Sequence, residues 1–283
     1  MENPPVKSII AVAALLCAFA ADAQTLADVK KRGALRIGYS ETSVPFSFKD
    51  KDGQPSGYSV ELCKRVATAI TTKSGAAVKV EWVPLTPATR LDAVATGKVD
   101  MECSTATVTL SRRETVDFSL PIFVDAATVM SRGTAAKALS DLQGKKIAVA
   151  EGTTTVAALE GGLAKRFIKA EIVKTKTVAE GFDLLKEGKV DALASDRTAL
   201  VGTFLRGGGA EGLGVLSEDL SYEPYAIVLP RGDWALRLAV NTGLAEVFRS
   251  GEIMKVFDRW FTPIGMRPGL LLGSTYALGA LRE

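Results

Sequence analysis

Val99-Asp100-Met101-Glu102-Cys103-Ser104-Thr105-Ala106-Thr107, continued through residues 108–111 to Arg112-Arg113-Glu114-Thr115-Val116-Asp117-Phe118-Ser119-Leu120-Pro121, reads as a short buried strand. It ends in a cluster of small hydroxyl residues, with an arginine a few positions on. Hydroxyls and open backbone amides at a strand's end, beside a guanidinium, hold a carboxylate in bidentate fashion. Thr105, Thr107 and Arg112 are therefore read as one half of a ligand site. Taken alone, the same residues also describe a finished strand followed by a solvated surface charge.

Upstream, Leu26 to Arg32 forms a short amphipathic helix stopped by Gly33, and Ala34 to Tyr39 the first strand. Residues 40–48, SETSVPFSF, make the loop at its carboxyl end. A helix from about Tyr58 to Ile70 carries an apolar face, Val78 to Val83 alternates as a strand, and Thr86 to Thr96 is the next helix. This βαβαβ order implies a parallel sheet wrapped by helices, with ligands at the carboxyl ends of its strands. Ser40, Thr86 and the Thr105/Thr107 cluster all fall at such ends.

After Phe123 the plan repeats. Strands are expected over residues 144–150, 171–175 and 190–194, and helices from the Glu151-Gly152-Thr153-Thr154 turn to about Phe167 and from Val178 to Leu185. Tyr222 to Pro230 is a strand returning to the first lobe, followed by closing helices over 234–248 and 251–261. Two lobes result, residues 24–124 with 229–283 and residues 125–228. Segments near 122–128 and 225–229 serve as the hinge. The glycine-rich tail from Gly265 is expected to be loosely packed or an extra cap.

The 283 residues, 47% hydrophobic and 24% charged, suffice for one large or two modest cores. Residues 1–23 read as a cleavable signal peptide: an apolar run from Ile9 to Ala20 follows Lys7 and ends at Ala21-Asp22-Ala23. Cys17 lacks the small neighbour of a lipidation site. No later stretch is long enough to span a bilayer. Processing moves the net charge from +3 to +4, mildly basic, with no arginine-rich tract to suggest nucleic acid. The absence of histidine excludes Ser-His-Asp and Cys-His hydrolases and leaves no plausible metal site; no cofactor is expected. Cys63 and Cys103 either bridge or rest as two buried thiols, and sequence leaves both open.

Two further elements carry chemistry. Gly152-Thr153-Thr154 opens a helix whose free N–H groups and positive dipole end hold an anion, the plain alternative being a threonine N-cap. Asp196 ends the strand DALAS, where it pairs with an ammonium or merely caps the helix from Arg197.

The T-x-T-x-x-x-x-R-x-x-x-x-D-F-S-x-P run, the Ser43-Val44-Pro45-Phe46-Ser47-Phe48 loop and the closing Ser250-Gly251-Glu252-Ile253-Met254-Lys255-Val256-Phe257-Asp258-Arg259-Trp260-Phe261 resemble the periplasmic polar-amino-acid-binding proteins of ABC importers, solute-binding protein family 3. The likeness covers essentially the whole mature chain and is greatest to the glutamate/aspartate branch. It implies an α/β, two-lobed type II periplasmic-binding-protein fold, a monomer that binds an L-amino acid and delivers it to an inner-membrane ABC permease. Arg112, Thr107 and the Gly152-Thr153-Thr154 turn would then meet the α-carboxylate, and Asp196 with a carbonyl near Thr105 the ammonium.

Ser40 and Val178 stand where that branch places the arginine and histidine that grip an acidic side chain. Arg90, Thr86 and Thr177 are the polar substitutes on offer, Arg90 being equally readable as a surface ion pair. Ser43 replaces an aromatic lid, which Phe46 either supplies or, as a core residue, does not. The rival reading is an enzyme on the same scaffold, similar to cyclohexadienyl dehydratase, with Glu151 as its candidate acid. A sensor domain would need a separate membrane partner.

Overall fold

The computed structural model describes residues 24–74, 78–133, 137–209 and 212–282; the expected signal peptide, residues 1–23, lies outside them. Helix α1 (Gln24–Arg32) ends on three basic residues that suit the negative end of its dipole, and stops at Gly33 with φ +69°. Strand β1 (Ala34–Tyr39) follows at the expected bounds, buried along nearly its whole length. The loop after it is not irregular. It folds as β2 (Thr42–Ser43), β3 (Ser47–Lys49) and β4 (Pro55–Ser56), a small antiparallel sheet.

Helix α2 (Tyr58–Ser74), β5 (Lys79–Pro84), α3 (Arg90–Ala95) and β6 (Met101–Glu102) complete the first half. Helix α3 begins later than the sequence implies, because the Thr86 N–H donates to Thr89 Oγ1 at 3.1 Å and closes a turn around Pro87. A single 3-10 turn (Arg112–Glu114) leads into β7 (Val116–Arg132), a 17-residue strand. The second half contains β8 (Lys146–Ala150), α4 (Thr154–Lys165), β9 (Glu171–Thr175), α5 (Val178–Lys186), β10 (Ala192–Asp196), α6 (Arg197–Arg206) and β11 (Leu213–Val215). The chain returns through β12 (Ser221–Pro230) and closes with α7 (Trp234–Arg249), α8 (Glu252–Phe261) and α9 (Leu270–Gly279).

Among the described residues, one nine-stranded sheet runs through both halves in the order β5-β1-β6-β12-β7-β10-β8-β9, with β11 alongside β7. Strand β1 is parallel to β5 and β6, and β8 is parallel to β9 and β10. The two long central strands, β7 and β12, are antiparallel to each other. Proline within a strand forfeits a ladder hydrogen bond and sits at edges or bulges. Pro121 obeys this inside β7: it lies opposite Ala226, where the β7–β12 register is interrupted.

Apolar residues gather on either side of this central pair. One cluster includes Leu35, Ile37, Phe46, Tyr58, Leu62, Met101, Phe123 and Tyr225; another, in the second half, includes Val129, Leu139, Ile147, Leu159 and Ala194. Cys63 of α2 and Cys103 just past β6 are joined as a disulfide with their Cα atoms 6.4 Å apart, which resolves the alternatives left open by sequence. The bridge pins the strand end that carries Ser104, Thr105 and Thr107. The glycine-rich tail is a docked helix: Leu272 and Tyr276 of α9 are buried, and the Tyr276 hydroxyl meets that of Tyr58 at 2.9 Å.

Among the described residues no helix is long and apolar enough to cross a membrane, and no cluster of His, Cys, Asp and Glu is arranged to hold a metal ion.

Candidate functional site

Beyond β6 the chain continues beside β12. Thr107 bridges Tyr225, Ala226 N–H donates to the Ala106 carbonyl at 3.1 Å and Val108 N–H to the Pro224 carbonyl at 2.8 Å. This pairing fixes Thr107 in the buried seam between the halves. Arg112 folds back over it, Nη1 donating to the Thr107 carbonyl at 2.8 Å and Nη2 reaching across to the Gly152 carbonyl at 3.1 Å. Burial, and then the charge of Arg90, lower the Arg112 pKa to about 10, which leaves it a cation at neutral pH.

At Gly152 the two halves come into close approach. Its φ is +73°, a backbone state that favours glycine, and a Cβ there would lie 2.5 Å from Ala88 Cα in the opposite half. Thr153 occupies the N-cap position of α4 without capping it; its hydroxyl turns back to the Ala150 carbonyl at 2.7 Å. The first turn of α4 thus keeps its N–H groups free of a side-chain cap. Thr154 Oγ1 sits 3.3 Å from Thr107 Oγ1, and both hydroxyls donate to Glu223 Oε2 at 2.6 Å.

Asp196 also approaches this turn, its Oδ1 accepting from Thr155 Oγ1 at 3.5 Å and its Oδ2 accepting a short hydrogen bond from the Tyr225 hydroxyl. Although Asp196 is the N-cap residue of α6, its side chain does not cap the helix. Asp125 of β7 replaces it in that task, accepting from the Thr198 N–H at 3.2 Å. A fringe of Asp196 remains accessible, yet protein surrounds it. Burial, then the negative charges of Asp125 and Glu223, raise its pKa to about 7. Burial likewise raises Asp125 to about 6.

Arg112 and Asp196 therefore converge on one feature, the start of α4, from opposite halves of the sheet. Arg90 lies nearby and is buried, not a surface ion pair: Nη1 donates to Ser104 Oγ at 3.0 Å, and Nε has no hydrogen-bond partner among the described residues. Buried Glu102 is pushed above the usual carboxylate range by desolvation, against the opposing pull of Arg90. Ser40 Oγ and Ser43 Oγ are 2.8 Å apart, and the Ser40 N–H donates to Ser47 Oγ. Thr86 is held in its turn with Thr89, and Thr105 is partly exposed between Ser104 and Ala106.

Several sequence expectations are displaced. Phe46 has no accessible surface and packs against Tyr58, Phe123, Tyr225 and Phe261, so it is core and offers no lid. The Thr177 hydroxyl accepts from the Glu180 N–H as the cap of α5, and Val178 packs into the apolar cluster of Phe182 and Leu200. Glu151 is exposed. The residues missed were Glu223, Tyr225 and Asp125. A signal for two of them exists, since 223 and 225 on one strand share a face.

A crevice of about 240 Å³ lies between the halves where Thr42 and Val44 approach Ala179, Phe182 and Arg206. The halves also meet close by: Arg206 Nη2 donates to the Lys49 carbonyl at 2.7 Å, and a Cβ added at Gly202 would fall 2.6 Å from the Val44 carbonyl oxygen.

The family description "bacterial extracellular solute-binding proteins, family 3" matches residues 35–263. An L-glutamate/L-aspartate-binding protein of Pseudomonas aeruginosa is 32% identical over 265 residues, covering 92% of this chain and 88% of that one. An ancestral arginine-binding protein solved with arginine is 31% identical with a TM-score of 0.73, over 81% of this chain and 99% of that one. An ancestral amino acid-binding protein, a precursor of cyclohexadienyl dehydratase, is 32% identical with a TM-score of 0.73, over 84% and 100%.

Proposed function

The chain belongs to the bacterial extracellular solute-binding proteins, family 3, and from that premise we propose that it is a periplasmic receptor for a polar or acidic L-amino acid, glutamate or aspartate in type, which it delivers to an inner-membrane ABC permease. The observation that carries this reading is the convergence of Arg112 and Asp196 on the first turn of α4. A guanidinium with unspent N–H donors and an uncapped helix start suit an α-carboxylate, while an acid relieved of its capping duty suits an ammonium. Only a zwitterionic head satisfies both.

In this account residues 24–124 and 229–283 form one lobe, residues 125–228 the other, and β7 with β12 the hinge. The guest favours the closed state by its greater affinity for it. Ser104, Thr105, Thr107 and the Gly152-Thr153-Thr154 turn supply the head-group site, and Ser40, Ser43 and Thr86 line its approach. The open Nε of buried Arg90 supports a guest whose side chain ends in an acceptor. With Ser40 and Val178 in place of charged grips, Arg90 carries that recognition alone.

Isothermal calorimetry against a panel of L-amino acids tests the proposal. Saturable one-to-one binding of a polar or acidic member is expected, and no binding by any member overturns it. An enzyme on this scaffold needs an acid in the cleft. Glu151 is exposed and not poised in a buried cleft, and incubation of the same protein with prephenate and arogenate is expected to yield no product; product formation would favour the enzyme reading.

A further inference from the structure

Glu223 is 1% exposed and lies on β12. Its Oε2 accepts from Thr107 Oγ1 and from Thr154 Oγ1, each at 2.6 Å, and its Oε1 accepts a short hydrogen bond from Ser221. Thr107 comes from the first half of the sheet and Thr154 from the second, so this one carboxylate joins residues of the two halves at the place where Arg112 and Asp196 converge.

A threonine hydroxyl owns a single proton and two lone pairs, and a carboxylate only accepts. Both protons are thus committed to Glu223. What Thr107 and Thr154 have left to offer a guest is acceptor capacity alone, at two oxygens 3.3 Å apart. Donors remain at Arg112 and at the uncapped start of α4. Two positions along the same face of β12, the Tyr225 hydroxyl fixes Asp196, the neighbouring acceptor.

We propose that Glu223 is a specificity-determining residue: by taking both hydroxyl protons it turns the Thr107–Thr154 pair into an acceptor, so that the site demands an ammonium and rejects the same carboxylic acid without one. This rests on the amino-acid-receptor reading and corrects one part of it, since the Thr107 hydroxyl then faces the ammonium side and not the carboxylate.

Calorimetry on the mature chain tests the idea with L-glutamate against glutarate, L-glutamine against glutaramate, and L-arginine against 5-guanidinopentanoate, each deaminated partner lacking only the ammonium. The side-chain amide introduced by E223Q can donate to one threonine and so release that hydroxyl's proton to the guest. E223Q is therefore expected to narrow the preference for the amino acid over its deaminated partner by about 10-fold, the scale of one charge-assisted hydrogen bond, whereas E223D, which still only accepts, preserves most of it. An unchanged preference in folded E223Q overturns the inference and leaves the receptor reading standing. If E223Q does not fold, T107V and T154V decide: loss confined to the amino acid supports the assignment, and equal loss for both partners overturns it. If the wild-type chain binds no amino acid of the panel, the receptor reading falls and this inference with it.

Discussion

The Arg112 guanidinium donates to the Gly152 carbonyl across the gap between the two halves, at 3.1 Å, while its other terminal nitrogen is held at 2.8 Å by the Thr107 carbonyl on its own side. The side chain is thus positioned before any guest arrives. R112A is expected to weaken amino-acid binding by about 100-fold, the scale of a lost charge-assisted hydrogen-bond pair, with a thermal midpoint close to wild type because Arg112 is partly exposed. R112K does little better, a point charge lacking the planar fork. Calorimetry beside a thermal melt checks both.

Gly202 provides a separation of closure from folding. It lies inside α6, where alanine is intrinsically favoured over glycine by about 1 kcal/mol. Yet a Cβ there meets the Val44 carbonyl oxygen at 2.6 Å in the opposing half. G202A is expected to hold or raise the thermal midpoint of the unliganded protein while lowering affinity about 10-fold, the consequence of shifting the closed population by roughly 1.4 kcal/mol. Small-angle scattering would show a smaller ligand-induced contraction than in wild type.

Asp196 sets a pH dependence of defined sign. With its pKa raised from 3.8 to about 7 by burial and by Asp125 and Glu223, the folded protein binds more protons than the unfolded chain between those two values. Its contribution to unliganded stability is therefore favourable in acid and is lost as pH rises through about 7. On the proposed reading the guest's ammonium needs the ionised form, so affinity should climb between pH 5 and pH 7 and flatten above, with proton release on binding near neutral pH. Calorimetry in buffers of different ionisation enthalpy measures that release; D196N should abolish both the slope and most of the affinity.

The Cys63–Cys103 bridge closes a separation of 40 residues. Chain-entropy arguments give a cross-link of that span roughly 4 kcal/mol, so reduction should lower the thermal midpoint by about 10 °C in a protein of this size. Binding should weaken as well, because the bridge anchors the strand end bearing Ser104 and Thr107. Melts with and without reductant, scored alongside affinity, test the pair.

Strand β5 and the start of α4 were legible in sequence because alternation and a glycine-threonine turn are local signals. The thiol pairing was not, since it depends on a distance between α2 and the end of β6 that no spacing encodes. Phe46 was ambiguous for the same reason: an aromatic in a loop becomes core only when Tyr58, Phe123, Tyr225 and Phe261 close around it. For Asp196 the sequence left ammonium pairing and helix capping side by side, and what relieves it of the cap is Asp125, some 70 residues away in sequence. Glu223 hid best. In Tyr222-Glu223-Pro224-Tyr225 a charged residue alternating along a strand reads as solvent-facing, and its partner Thr107 lies 116 residues upstream.

A crystal structure of the protein with L-glutamate, or with whatever amino acid copurifies with it, is the most direct test. The account predicts one guest between the halves, its carboxylate within hydrogen-bonding distance of Arg112 and the first turn of α4 and its ammonium on Asp196. A guest bound elsewhere, or one that engages Arg112 while its ammonium points away from Asp196, would contradict it.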